Sequence, residues 1–177
     1  MEKILFAEEQ KRNQWWLWLI MLAALFVSTV PSIYGIYSQE VLNEPFGDEP
    51  ISTEGLIFTA CLSVVIIGFA MFMVFGSTLK TKITTDALWV SYPPLIRKWK
   101  KIAPDEIERY EIRTYRAKRE YGGYGMRRRI RHGRAYTMYG NIGLQLYFKN
   151  GKKFLIGTQK KQAIESAMKK MMQSEPT

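Results

Sequence analysis

The chain has 177 residues, a formal net charge of +10, one cysteine and one histidine. This length accommodates one domain of ordinary size with some additional elements, and it excludes two large domains. The single cysteine excludes an intramolecular disulfide, and the single histidine argues against a zinc site built from protein ligands, so the sequence predicts no metal and no cofactor.

Two long uncharged stretches lie in the N-terminal half of the chain, at residues 13–39 and 55–79. Each exceeds the roughly 20 apolar residues that a helix needs to cross the hydrocarbon core of a bilayer. The sequence therefore predicts transmembrane helices at 15–37 and 56–79. A cleaved signal peptide is a competing interpretation of the first stretch, but its apolar segment is too long and a second span follows it.

The charges around the two spans predict their orientation. The connection at 38–55 has five acids and no base, whereas basic residues precede the first span and follow the second. Lysine and arginine are retained on the cytoplasmic side of a membrane. Residues 1–14 are therefore predicted to be a cytoplasmic segment, 38–55 an acidic extracytoplasmic connection, and 80–177 a cytoplasmic domain. The basic residues in question are Lys3, Lys11, Arg12, Lys80 and Lys82.

Residues 80–177 contain short stretches that alternate at the period of a β-strand. Leu88, Val90 and Tyr92 show this alternation, and the prolines that follow end the strand because proline lacks the donor for a sheet hydrogen bond. The last two stretches are joined by Asn150-Gly151, a pair that favours a type I′ turn. The sequence predicts about seven short strands in this domain.

A C-terminal amphipathic helix is predicted after these strands, with Thr158 as its N-cap. Four apolar residues fall at the spacing of a single helix face, and this face is expected to cover a sheet. They are Ile164, Ala167, Met168 and Met171.

Several segments of the chain together resemble a known class of protein. They are EPFGDEPIS, ITTDALWVSYPPLIRKWKKI, PDEIERYEI, EYGGYGMR and YGNIGLQLYFKNGKKFLIGTQK. They are similar to segments of uncharacterised bacterial membrane proteins that carry a pleckstrin-homology-like domain. The resemblance implies an α-helical transmembrane hairpin plus a mainly-β domain, with about seven antiparallel strands in a partly open barrel capped by the C-terminal helix. It also implies a multi-pass protein of the bacterial inner membrane.

A cluster of basic residues lies in the middle of the predicted β domain, which contains 23 of the 26 lysines and arginines and eight of the 16 acids. Such a cluster can bind anionic lipid headgroups, at about 1 kcal/mol per basic residue near an anionic surface, or an acidic partner. It is equally consistent with a solvated loop whose charge follows the bias of cytoplasmic segments. The cluster consists of Arg113, Arg116, Lys118, Arg119, Arg127, Arg128, Arg129, Arg131 and Arg134.

Two further features resemble anion sites. The glycines of residues 122–125 suggest a phosphate loop, but no helix or Gly-Lys-Ser/Thr sequence follows, so a structured turn packed by Tyr121 and Tyr124 is predicted instead. Lys160 and Lys161 lie at the predicted helix start, where free backbone amides bind anions, but solvated side chains are the preferred interpretation of these lysines.

The sequence shows no recognisable catalytic constellation, since His132 lies alone among arginines and no serine or cysteine has an evident base. Nucleic acid is disfavoured as a partner because the predicted spans tether the basic residues to a membrane, where lipid explains the charge as well. The sequence therefore predicts a non-catalytic membrane-anchored module that contacts the lipid bilayer and its anionic headgroups. The alternative is a protein-interaction or assembly subunit that binds another membrane protein.

Overall fold

The computed structural model describes residues 3–12, 15–47 and 51–173. The chain divides into two compact units. The helical unit is Asn13–Gly76, and the β unit combines Met1–Arg12 with Ser77–Thr177. The N-terminal residues, predicted as a separate segment, therefore share a unit with the C-terminal domain.

The helical unit contains two helices, α1 (Trp15–Glu40) and α2 (Thr53–Phe75). Both are long and apolar enough to cross a membrane, and both expose many large apolar side chains. The second helix ends before the end of the span predicted at 56–79, because the chain after Gly76 enters a β-strand. The two predicted spans are otherwise present as helices.

Small residues line the face of α1 that is buried in the helical unit. Ser32, Gly35 and Ser38 are its buried residues. A Cβ atom on Gly35 would lie 2.7 Å from the Phe46 ring and 2.9 Å from the Leu56 side chain. Small residues of this kind let the backbones of membrane helices approach closely.

The first sheet of the β unit contains four antiparallel strands. They are, in spatial as well as chain order, β1 (Ile4–Lys11), β2 (Thr78–Thr84), β3 (Leu88–Tyr92) and β4 (Ile96–Ile102). The alternation of Leu88, Val90 and Tyr92 predicts β3, whereas no such pattern predicts β1. The buried side chains of β1 are Phe6, Glu8 and Gln10, and two polar residues at buried positions hide the alternation of a half-buried strand.

The second sheet contains five strands and is mixed. They are β5 (Ile107–Thr114), β6 (Gly125–Arg129), β7 (Gly133–Thr137), β8 (Ile142–Phe148) and β9 (Lys153–Gly157). Their spatial order is β5-β8-β9-β7-β6, and β7 pairs with β9 in parallel. The prediction of an all-antiparallel domain of about seven strands is therefore corrected: the described residues form nine strands, and β9 lies between β8 and β7. The two sheets are not closed into a barrel.

The strands of the two sheets cross each other. At the start of β9, the Phe154 ring centre lies 5.1 Å from Lys100 Nζ of β4. At its end, the Gly157 carbonyl accepts a 2.8 Å hydrogen bond from Gln10 of β1. β9 thus runs from the β4 edge of the first sheet to its β1 edge. The core between the sheets contains fully buried side chains from both, including Ile83, Leu88, Leu144 and Ile156.

The chain leaves the β unit for the helices at one end of the first sheet. Lys11 pairs with Thr78 there, and the Thr78 amide donates a 2.9 Å hydrogen bond to the Pro93 carbonyl beside Tyr92. We call this the exit end of the β unit, and it consists of Lys11, Arg12, Ser77, Thr78 and Tyr92. The two edge strands of the second sheet lie near opposite ends of the first sheet. β5 follows β4 through a short turn at the end away from the exit end, and β6 approaches the Tyr92 hydroxyl at the exit end.

The C-terminal helix α3 (Lys161–Gln173) confirms the predicted apolar face. It begins at Lys161 and not directly after Thr158, since the Ile164 amide donates a 3.0 Å hydrogen bond to the Lys160 carbonyl at the helix start. The helix packs against β1, β2 and β8. Its buried residues are Ile164, Ala167, Met168 and Met171.

The turn between β8 and β9 differs from the predicted type I′ turn. Gly151 has a φ of +76°, and its amide donates a 2.8 Å hydrogen bond to the Phe148 carbonyl. Asn150 does not share the positive φ that a type I′ turn requires at both central residues. The connection is instead a three-residue loop that ends in a left-handed glycine.

Candidate anion-binding site

Arg113, the first arginine of the predicted cluster, is engaged inside the β unit. Its Nη2 donates a 2.7 Å hydrogen bond to the Glu120 carboxylate and a 3.1 Å hydrogen bond to Gln145 Oε1. The Arg113 and Glu120 side chains are 26% and 20% exposed. This arginine therefore fixes the connection that follows β5 and does not face solvent as a free charge.

The pair of Arg113 and Glu120 predicts a dependence of stability on acid. Burial alone would raise the pKa of Glu120, but hydrogen bonds from the Arg113 side chain and the Arg116 amide, together with the Arg113 charge, lower it below the ordinary 4.5. A carboxyl whose folded-state pKa is lowered stabilises the fold above its unfolded-state pKa, and that contribution is lost as the pH falls through the folded-state pKa. We expect Glu120→Gln to lower the free energy of unfolding at neutral pH by about 1–2 kcal/mol.

Urea unfolding between about pH 7 and pH 3 measures this effect. The difference between Glu120→Gln and the unmodified chain should shrink below about pH 4.5, as the native carboxyl is protonated. Glu108→Gln, which removes an exposed acid from β5, serves as the matched control. A difference that stays constant across this pH range would contradict the assignment.

The connection between β5 and β6 is a packed turn. It contains a five-residue π-helical turn, Ala117–Tyr121, followed by Gly122 and Gly123 with φ angles of +76° and +128°. Tyr121 is only 2% exposed. Its neighbours form a second core on the face of the second sheet that points away from the first, and this confirms the predicted glycine-tyrosine turn. That core consists of Tyr115, Ala117, Tyr121, Ala135 and Leu155, with Tyr124 packed against it.

Three consecutive arginines form the outer part of edge strand β6. Arg127, Arg128 and Arg129 are all exposed, and β6 pairs with β7 alone. Their sequence is also consistent with a solvated loop and predicts no strand. An edge strand with most side chains in solvent has no apolar alternation, so the usual signal of a strand is missing.

The arginine hairpin, which consists of β6, β7 and their turn, forms one wall of an open groove of about 900 Å³. The other walls are β4 and the turn between β8 and β9. Seven basic residues and one acid, Glu106, line this groove. The basic residues are Lys100, Arg128, Arg129, Arg131, Arg134, Lys152 and Lys153.

The groove is strongly positive. None of its seven basic side chains forms an ion pair within 4 Å with a carboxylate of the described residues. Lys100 is exposed as a whole residue, but its ammonium group lies against the Phe154 ring. Burial of that group lowers the pKa of Lys100, and the charges of Arg134 and Lys152 lower it further against the opposing effect of Glu106. Charges on the other two walls therefore influence the pKa of the lysine on β4.

The start of β6 lies beside the exit end of the β unit, since a Cβ atom on Gly125 would lie 3.8 Å from the Tyr92 hydroxyl oxygen. Burial raises the pKa of the Tyr92 hydroxyl, while the positive charges of Arg12 and Arg127 oppose this shift. The Arg12 and Ser77 side chains also oppose the rise of the Tyr92 pKa. The hairpin thus approaches the two residues at which the chain leaves for the helices.

The backbone amides near Lys160 and Lys161 are occupied by groups of the protein itself. The Gln159 amide donates a 2.8 Å hydrogen bond to the Glu8 carboxylate, and the Lys160 amide donates to the Thr158 hydroxyl. Glu8 is 8% exposed, so an internal carboxylate takes the position that an external anion would need. The side chains of both lysines are exposed and do not line the groove.

No known protein-family model matches the chain. No curated protein is significantly similar to it either. The assignment of function therefore depends on the residues and geometry of the site.

The structure unites only part of the predicted cluster. It brings together Arg128, Arg129, Arg131 and Arg134, places Arg127 on β6, whose start lies beside the exit end, and leaves Arg116 and Arg119 exposed outside the groove. Three further members of the site, Lys100, Lys152 and Lys153, are not predicted from the sequence. The pair of lysines directly after the Asn150-Gly151 turn was the available signal, since a hairpin tip carries adjacent charges to one place.

Proposed function

We propose that the protein is a non-catalytic binding module anchored in the bacterial inner membrane by its two helices, with both termini in the cytoplasm. Its β unit is a pleckstrin-homology-like domain. The arginine hairpin binds the anionic headgroups of the membrane that contains the helices. The approach of β6 to the exit end of the β unit carries this proposal.

Chain length limits how far Arg12 can lie from the bilayer. Arg12 precedes Trp15, the first residue of α1, by three residues, and three extended residues span at most about 11 Å. Arg12 and Arg127 both act on the Tyr92 hydroxyl. If α1 crosses the membrane, the chain therefore holds Arg12 close to the headgroups.

The strand pairing supports the orientation of the spans. β1 precedes the helices and β2 follows them, and the two strands pair from Lys11 with Thr78 to Ile4 with Thr84. If both helices cross the membrane, this pairing supports placing the two ends of the helical unit on the same side of it. This agrees with the cytoplasmic side predicted from the basic residues.

The composition of the hairpin suits an anionic surface. Arginine binds phosphate oxygens through two parallel hydrogen bonds, and each basic residue near such a surface contributes about 1 kcal/mol. Ile130, at the tip between Arg129 and Arg131, has a fully exposed side chain that can enter the interfacial layer. Charges on an edge strand also prevent edge-to-edge aggregation, but that role does not require an exposed isoleucine at the tip.

Vesicle binding tests this function. The soluble β unit is prepared with a short glycine-rich linker in place of residues 13–76, so that β1 is retained. We expect it to sediment with vesicles that contain phosphatidylglycerol, and to do so less as salt increases. Arg127→Gln/Arg128→Gln should weaken binding by about 2 kcal/mol, which is about 30-fold.

The matched control is Lys169→Gln/Lys170→Gln, which removes the same charge from exposed positions of α3. This variant should lose much less affinity, because its charges are not on the hairpin. Binding that is indifferent to both the anionic lipid fraction and the salt concentration would refute the proposal. That result would favour the alternative, an assembly subunit whose partner is another membrane protein.

A further inference from the structure

We propose that the groove between the arginine hairpin, β4 and the β8–β9 turn is a binding site for an anion that carries two or more phosphate groups. The inference rests on the proposed function only where that anion is a lipid headgroup. The site itself is defined by side chains of the β unit.

The number and origin of the bases indicate more than one phosphate. A single phosphate monoester presents three acceptor oxygens. The groove offers seven cationic side chains that come from three separate walls, so one phosphate group cannot contact all of them. A volume of about 900 Å³ also lies in the range of about 300–1,000 Å³ that small-molecule sites occupy.

The electrostatics of the groove favour an external anion. Its one lining acid, Glu106, forms no ion pair within 4 Å with any base of the described residues. Burial lowers the pKa of Lys100, and the positive charges of Arg134 and Lys152, which line the same groove, lower it further. A multiply charged anion offsets the positive charges in all three walls at once, which a bulk chloride ion does only weakly.

The walls also differ in what they offer an anion. The hairpin supplies arginine forks, which match phosphate oxygens bidentately, and the β8–β9 turn supplies the compact charges of Lys152 and Lys153. Phe148 and Phe154 also line the groove, but both are buried in the core, so the basic side chains dominate its accessible surface.

Titration calorimetry of the full chain in a neutral detergent tests the site without any lipid charge. Inorganic pyrophosphate is the probe and orthophosphate the comparison, at about 0.15 M salt. We expect pyrophosphate to bind in a saturable manner, and orthophosphate at least about tenfold more weakly because it reaches fewer bases.

Substitutions in the other two walls, β4 and the β8–β9 turn, distinguish this site from the lipid contact of the hairpin. Lys152→Gln/Lys153→Gln should weaken pyrophosphate binding about tenfold or more, and Lys100→Gln should weaken it in the same direction. Lys169→Gln/Lys170→Gln should leave it within about twofold, because these exposed charges lie outside the groove. Absence of saturable binding, or equal losses in the groove and control variants, would overturn the inference.

A second arm identifies the source of the phosphates. The full chain is placed in nanodiscs of phosphatidylcholine, with or without cardiolipin, whose headgroup carries two phosphates. Weaker pyrophosphate binding in discs with cardiolipin than in discs without it supports a lipid headgroup as ligand. This difference between the two discs should disappear in Lys152→Gln/Lys153→Gln. Equal affinity in both discs supports a free phosphate compound. The binding of pyrophosphate in neutral detergent is measured without lipid, so that result does not depend on whether vesicles bind the arginine hairpin.

Discussion

A β unit that begins at Ser77 and lacks residues 1–12 is expected not to fold. β1 buries Phe6, and removal of a buried phenylalanine side chain costs about 3–5 kcal/mol. Its Glu8 carboxylate accepts hydrogen bonds from the Thr158 hydroxyl and the Gln159 amide, each of which costs about 1–3 kcal/mol when left unpaired in the interior. These losses match most of the about 5–15 kcal/mol by which native proteins are stable.

Two versions of the β unit test this expectation. The first contains residues 77–177 alone, and the second joins residues 1–12 to 77–177 through a short turn. The turn can close the chain because Lys11 and Thr78 are already paired as neighbours on adjacent strands. Only the joined version should show near-ultraviolet circular dichroism and cooperative thermal unfolding. Cooperative folding of residues 77–177 alone would show that β1 is dispensable.

Gly133→Ala is expected to destabilise the β unit by about 3–4 kcal/mol. Gly133 has a φ of +79°, where an L side chain costs about 1–2 kcal/mol. A Cβ atom there would also overlap the backbone carbonyl of Lys153, which must move, and such a shift costs about 1–3 kcal/mol. Gly133 starts β7 beside β9, so the substitution should also move the arginine hairpin away from the other walls of the groove.

Gly151→Ala separates the two contributions. Gly151 has nearly the same φ, +76°, but nothing lies within 4 Å of an added Cβ. This variant should therefore lose only about 1–2 kcal/mol. Urea unfolding measures the loss in free energy of unfolding for each variant. The difference between the two losses is the effect of the close approach between Gly133 and Lys153. Equal losses would mean that the backbones of the turn and β9 are not held together as described.

Local patterns in the sequence account for much of the helical and sheet structure. The two uncharged stretches predict α1 and α2 because their length and apolar character do not depend on any other part of the chain. The period of two predicts β2, β3 and β8, and the spacing from Ile164 to Met171 predicts the buried face of α3. Each of these signals lies within one element.

The strands that the sequence analysis missed lack such a local signal. β1 buries Glu8 and Gln10, whose partners are Thr158, Gln159 and Gly157 about 150 positions away, so their burial is explained only by the folded chain. β6 exposes its arginines at a sheet edge and buries none of them. A strand that buries none of its side chains, or that buries polar ones, shows no apolar alternation in its sequence.

The sequence by itself determined two apolar helices, a basic β-rich region and the arginines of the candidate site, because composition and periodicity are properties of neighbouring residues. Only the tertiary structure decided which charges meet. It paired Arg113 with Glu120, filled the start of α3 with Glu8, and joined Lys100, Lys152 and Lys153 to the arginine hairpin. Electrostatic interactions depend on distance in space and on burial, and crossing sheets bring together residues that no spacing along the chain relates.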